Sequence, residues 1–150
     1  MARYAAVDIG SNSVRMEAAE VTPGAAPDGP PRILASERQV TRLGESVFRT
    51  GRISPESIAL VCGVLSNMAA IYKRLDVSTV RAVATAAVRD ASNGELFAGR
   101  VREDYDLDAH VLSGEEEAQL SFAGATARRV DQESTPPTWM IQRFSSGSRP

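Results

Sequence analysis

Hydrophobic and polar positions change period several times along this chain, and each change predicts an element. An apolar run over residues 3–9 ends in a carboxylate and a short polar turn, Gly10-Ser11-Asn12-Ser13, before alternation resumes over 14–21. The pattern predicts two strands joined by that turn. Residues Val21–Pro31 are too rich in Pro and Gly for regular structure and read as an exposed loop. Residues 32–42 read as a third strand, and Arg42-Leu43-Gly44-Glu45 leads into a loop.

The period then becomes helical. Ser54-Pro55-Glu56 supplies an N-cap, a proline in the first turn and an acid at the positive end of the dipole. Ile58, Val61, Cys62, Leu65, Met68, Tyr72 and Leu75 follow as one stripe. A strand over 79–84 runs into the small-residue loop Thr85–Ala91, and a helix over 93–104 turns Leu96, Phe97 and Val101 inward. Residues 109–112 form a short strand, and a third helix runs from Ser113 to about Arg128. The order βββ–α–β–α–β–α predicts an α/β domain with a mixed sheet.

Composition narrows the function classes. The 150 residues fit one domain with a real core. A formal net charge of −2, from 17 basic and 19 acidic residues, argues against a general binder of nucleic acid or acidic membranes. A polyanionic ligand must therefore be held by a local cluster of donors. The single cysteine, Cys62, allows no internal disulfide and fits a reducing cytoplasm. No apolar stretch is expected to approach the roughly 20 residues of a membrane span. The start does not read as a signal peptide, because Asp8 interrupts the apolar run. The expected location is cytoplasmic.

Candidate chemistry gathers at three places. Gly10, Ser11, Asn12 and Ser13 bring small hydrogen-bonding groups and backbone N–H donors to one point, which suits an anion. Asp8, fixed at the strand end beside them, suits a Mg²⁺ ion or a water held against phosphate. An ordinary hairpin whose turn residues only satisfy geometry explains the same residues equally well. Arg89, in the small-residue loop, offers a planar fork to phosphate, with a surface salt bridge as the alternative. In the third helix Ser113 and Glu116 stand in capping-box relation, and Glu115 is favoured by the dipole. Glu117 has neither explanation and is the candidate base. His110, the only histidine, sits in a strand where packing or exposure is expected.

Taken together, Asp8–Ser13, Ala84–Asn93 and Ser113–Ala118, with Arg42-Leu43-Gly44 between them and Phe122-Ala123-Gly124 after, resemble the exopolyphosphatase / guanosine pentaphosphate phosphohydrolase (Ppx/GppA) family. The resemblance covers residues 3–127. It implies a ribonuclease H-like, actin-like ATPase lobe over residues 1–128, with a mixed sheet flanked by helices. It also implies hydrolysis of a terminal phosphoanhydride in inorganic polyphosphate, in guanosine pentaphosphate, or in both. Position by position, Asp8 and the turn would hold phosphate and Mg²⁺. Asn12 and Ser13 would donate to phosphate oxygens, Arg89 would bind the phosphoryl group, and Glu117 would orient or deprotonate water.

The resemblance stops near the C-terminus. The family continues with a second phosphate loop, Asp-x-Gly-Gly-Gly-Ser, whereas residues 131–150 contain no such sequence and shift to Ser, Thr, Pro and Arg. Residues 129–150 read as a disordered tail unrelated to the family, and the second lobe is expected to be missing. A sheet lacking strands leaves an edge or face open to self-association or to an intact homologue. Little hydrolysis is expected from the chain alone. A non-catalytic phosphate-binding or regulatory role is the alternative.

Overall fold

A computed structural model describes residues 1–21 and 31–126. Its centre is a five-stranded sheet in the order β3-β2-β1-β4-β5. The strands are β1 (Ala2–Ile9), β2 (Ser13–Val21), β3 (Arg32–Val40), β4 (Thr79–Ala84) and β5 (Ala109–Val111). The pairs β1–β2 and β2–β3 are antiparallel, and β1–β4 and β4–β5 are parallel. The helices are α1 (Leu43–Thr50), α2 (Pro55–Arg74), α3 (Ala86–Asp90), α4 (Gly94–Tyr105) and α5 (Gly114–Thr126). The mixed α/β sheet expected from the pattern is present, with all five strands and the start of α2 within two residues of their expected bounds.

Alternation decides which face is covered. Ala5, Val7 and Ile9 of β1, Val14, Met16 and Ala18 of β2, and Ala82 and Ala84 of β4 are buried on one face. They meet Val61, Leu65, Met68 and Tyr72 of α2 in one hydrophobic cluster with Phe97 and Val101 of α4. Fully burying side chains of this size is worth about 1.5–3 kcal/mol each. Helix α2 packs against β2, β3 and α4, and its predicted cap forms, the Ser57 N–H donating to Ser54 Oγ at 3.1 Å. The buried Cys62 packs in that stripe. At the far end of this face Glu20 is buried, its carboxylate accepting from Arg3 Nε at 3.0 Å. Arg3 Nη1 also donates to the Leu75 carbonyl at 2.8 Å, tying the sheet to the end of α2.

Four expectations are corrected. The segment after Arg42 is a helix, α1, rather than a loop: Leu43 and Ser46 bury together, and Gly44 N donates to the Ser11 carbonyl, a tertiary bond that no local spacing encodes. Residues 86–90 form the short helix α3 where a loop was expected, its small residues letting it sit against the strand ends. Leu96 points outward, 78 % exposed, because α4 turns Phe97 and Val101 to the core instead. Helix α2, 20 residues long, is long and apolar enough to cross a membrane by length and composition. Seven of its residues are nevertheless buried within the protein, as a core helix requires. Residues 22–30 of the expected Val21–Pro31 loop and the 129–150 tail lie outside the described residues.

Two glycines make opposite predictions. A Cβ on Gly94 would fall on the Val88 carbonyl oxygen where α4 starts against α3, whereas one on Gly63, exposed in α2, meets nothing within 4 Å. Gly94→Ala should lower stability by about 3 kcal/mol, the upper end of overpacking costs. Gly63→Ala should raise it by about 0.5–1 kcal/mol. Urea denaturation of both variants checks the pair, and equal effects would contradict the packing.

Candidate functional site

The candidate residues collect at the end of the sheet where the parallel strands β1, β4 and β5 finish. Three backbone links draw this end together. Thr85 N donates to the Ile9 carbonyl at 3.2 Å, Leu112 N to the Ala84 carbonyl at 2.9 Å, and Gly10 N to the Ser13 carbonyl at 3.1 Å. Carboxyl ends of parallel strands are where α/β sheets present their ligand groups.

The turn from Gly10 to Ser13 is turned inside out by its neighbours. Asn12 O accepts from Thr41 N and Arg42 N, both at 3.0 Å, and Ser11 O accepts from Gly44 N at 2.8 Å. Ser11 Oγ accepts from Ala87 N at 3.1 Å. Three oxygens of the turn are thus spent on α1 and α3, while no hydrogen bond among the described residues engages the N–H of Ser11 or Asn12. Space fixes the two glycines involved. A Cβ on Gly10 would stand 2.9 Å from the Ser13 carbonyl oxygen, and one on Gly44 3.1 Å from Ser11 Cβ. Ser13 itself is buried at the start of β2, whereas Asn12 is exposed.

Asp8 lies on the opposite face of β1 from the core, half-buried, with its Oδ1 enclosed and without a hydrogen-bond partner. Burial raises its pKa above the usual carboxylate value, Arg15 partly opposes this, and the Glu117 carboxylate adds to it. The carboxylate is therefore short of positive charge, which is the condition a divalent cation relieves. Among the described residues no three metal-ligating side chains cluster. A cation that takes one or two carboxylates and completes its shell with water and phosphate, as Mg²⁺ does, fits this arrangement.

Arg89 and Glu117 meet directly. Arg89 Nη1 donates to Glu117 Oε2 at 3.3 Å and to the Leu112 carbonyl at 3.0 Å, while Nε donates to Asp90 Oδ1 at 3.1 Å. The salt bridge weighed as the alternative for Arg89 exists, and it gives Glu117 the structural partner that its sequence position did not reveal. It does not exhaust the arginine, whose Nη2 has no partner among the described residues. The capping box forms as expected, with Ser113 N donating to Glu116 Oε2 at 2.8 Å and Glu116 N to Ser113 Oγ at 3.2 Å. That bond to the Ser113 backbone, then His110, holds the Glu116 carboxyl below its ordinary pKa. His110 is exposed and meets Glu116 Oε1 at 3.2 Å.

A cavity of about 650 Å³ opens beside the turn, lined by Ser11, Asn12, Arg42, Gly44, Glu45, Phe48 and Asp90 among others. Asp8, Ser13, Arg89 and Glu117 are not on its wall. A similar groove of about 700 Å³ between β3 and α2 carries none of the candidate residues. Phe48 was not singled out from the sequence, and Arg42 only as part of Arg42-Leu43-Gly44. The signal for Arg42 was conformational, since it adopts the left-handed region at φ 51°, uncommon for a residue with a side chain.

The profile of the Ppx/GppA phosphatase family matches residues 19–134. The chain belongs to that family. The Ppx/GppA match begins after the Gly10–Ser13 turn. Exopolyphosphatase 2 of Mycobacterium tuberculosis is 37 % identical over 130 residues, covering 83 % of this chain and 40 % of its own length. Guanosine-5'-triphosphate,3'-diphosphate pyrophosphatase of Pseudoalteromonas atlantica is 30 % identical over 129 residues, 86 % of this chain and 25 % of its own length. The crystal structure of the Aquifex aeolicus Ppx/GppA family member superposes with a TM-score of 0.76 at 31 % identity, over 87 % of this chain and 41 % of that one. The fold is that of the N-terminal lobe of Ppx/GppA structures, and the chain spans well under half the length of these relatives.

Asp8 makes a pH-dependent prediction. Its folded pKa lies above the unfolded value of 3.8, so the unfolded state holds fewer protons over the interval just above that value. Stability therefore falls as pH rises through this interval and stays lower at neutral pH. Asp8→Asn should raise the thermal midpoint at pH 7, and the gain should shrink as pH approaches 4. A gain independent of pH would contradict the assigned cause.

Proposed function

We propose that this chain forms the phosphate-gripping lobe of a hydrolase that releases terminal phosphate from inorganic polyphosphate or guanosine pentaphosphate, in the cytoplasm and with Mg²⁺. The observation that carries the reading is the turn whose oxygens are committed to α1 and α3 while the Ser11 and Asn12 N–H groups stay without partners. Preorganised donors of this kind bind an anion without paying for reorganisation. The family membership and the relatives' names supply the substrate classes.

Each residue then has a role its geometry permits. The turn amides and Arg89 Nη2 donate to oxygens of the terminal phosphoryl group. Glu117 takes the proton as a water oxygen bonds to that phosphorus and the anhydride P–O bond breaks, the electron pair leaving on the bridging oxygen of the shortened polyphosphate or nucleotide. Asp8, with substrate oxygens and water, would hold Mg²⁺, which when bound neutralises charge on the transferred group. Arg89 keeps Glu117 at the mouth of the site before substrate arrives.

Amide NMR of the 150-residue chain titrated with tripolyphosphate tests this. The Ser11 and Asn12 resonances should shift on binding, and Arg89→Ala should weaken affinity about tenfold or more, the scale of a lost charge-assisted hydrogen bond. No shift at millimolar ligand would overturn the reading. In a longer homologue that turns over, Glu117→Gln should keep the binding and lose at least a hundredfold in phosphate release, within the usual range for a general base. Turnover that survives this change would remove Glu117 from its role.

A further inference from the structure

Helix α2 has an outer face unlike that of an ordinary surface helix. Residues 57–72 carry no charged side chain, yet Ala59, Leu60, Gly63, Ser66, Asn67 and Ala70 are exposed. A surface helix normally turns charged residues to water, and depletion of charge marks the centre of a protein–protein contact. The same face forms one wall of the open groove of about 700 Å³ between α2 and β3. That groove holds none of the phosphate-site residues, so its role is separate from the hydrolysis proposed above.

The order of residues on this face selects the partner. Glu56, Ala59, Gly63, Ser66, Ala70 and Lys73 recur at alternating steps of three and four, the a and d positions of a heptad seam, and all six are exposed. Set antiparallel against a copy of itself, the seam matches throughout: Gly63 meets Ser66, Ala59 meets Ala70, and Glu56 meets Lys73. Neither Glu56 nor Lys73 has a salt-bridge partner among the described residues of its own chain. We propose that the chain forms a twofold homodimer in which α2 packs antiparallel on α2 of a second copy. The small side chains at the centre let the two helix axes approach closely. Leu60, 48 % exposed, flanks the seam with apolar surface, and two Glu56–Lys73 pairs close its ends. A parallel pairing would set Glu56 against Glu56 and Lys73 against Lys73, whereas the antiparallel one is isologous and closes as a dimer. A lipid surface fits this face less well, because a helix lying on one carries Lys and Arg along its polar side.

Sedimentation equilibrium of the 150-residue chain tests the contact, with circular dichroism to show that each variant is folded. The mass should rise from that of one chain towards that of two as concentration increases from micromolar to millimolar. Lys73→Glu should weaken the dimer about tenfold, since two attractive pairs become two repulsive ones. Glu56→Lys should do the same, and the variant carrying both changes should recover the wild-type affinity. Gly63→Arg, at a position where a Cβ meets nothing within 4 Å, should leave the fold intact and abolish the dimer. A chain that stays monomeric at millimolar concentration overturns the proposal. So does a dimer indifferent to Gly63→Arg, or one that the double charge exchange fails to restore.

Discussion

The structure depends on which way one peptide turn faces. Ser11 and Asn12 point their carbonyl oxygens into the protein, where Gly44, Thr41 and Arg42 donate to them, and Ser11 adds its hydroxyl for Ala87. The peptide that directs the Ser11 C=O inward directs the Asn12 N–H outward, so the bond that docks α1 onto the hairpin also fixes the direction of that amide. Stability and binding geometry share one set of atoms. Gly10 is required because the approach leaves no room for a Cβ, and a Cβ on Gly44 would crowd Ser11.

Charge arrangement at the same end works against stability. Asp8 is enclosed without a partner for Oδ1, and Glu117 lies near enough to raise its pKa further. A core optimised only for folding would not keep a desolvated carboxylate facing another one. Arg89 offsets part of this by holding Glu117, while Leu112 O and Asp90 hold Arg89. Local violation of packing logic, compensated by neighbours, is the expected signature of a working site.

Most of the sheet was legible because alternation is a strong signal: Val7, Ile9, Val14 and Met16 had only one face to occupy. Helix α2 was legible from Ser54-Pro55 and its stripe. What escaped were the two short helices, α1 and α3, where Gly44 and the alanines at 86–87 carry little periodic information and tertiary hydrogen bonds to Ser11 decide the conformation. Asp8, Arg89 and Glu117 stood out by chemistry at the ends of elements. Their mutual pairing did not, since the Arg89–Glu117 contact spans 28 residues and no local spacing encodes it. Phe48 was not legible either, since local sequence does not say whether an aromatic residue in a short helix is covered or exposed.

The parallel pairing of β1 with β4 has a kinetic consequence. Tyr4–Ile9 align with Thr79–Ala84, so the strand that bears Asp8 finds this neighbour only after the intervening chain, with α1 and α2, has closed a long loop. Such non-local contacts are made slowly and late. The Ser11–Ala87 and Arg89–Glu117 contacts come from beyond that crossover. During synthesis the hairpin emerges long before the helices that orient its turn. The turn therefore presents its amides in order only on a lobe whose folding is finished, and any ligand gripping them would act as a clamp on the last step of assembly.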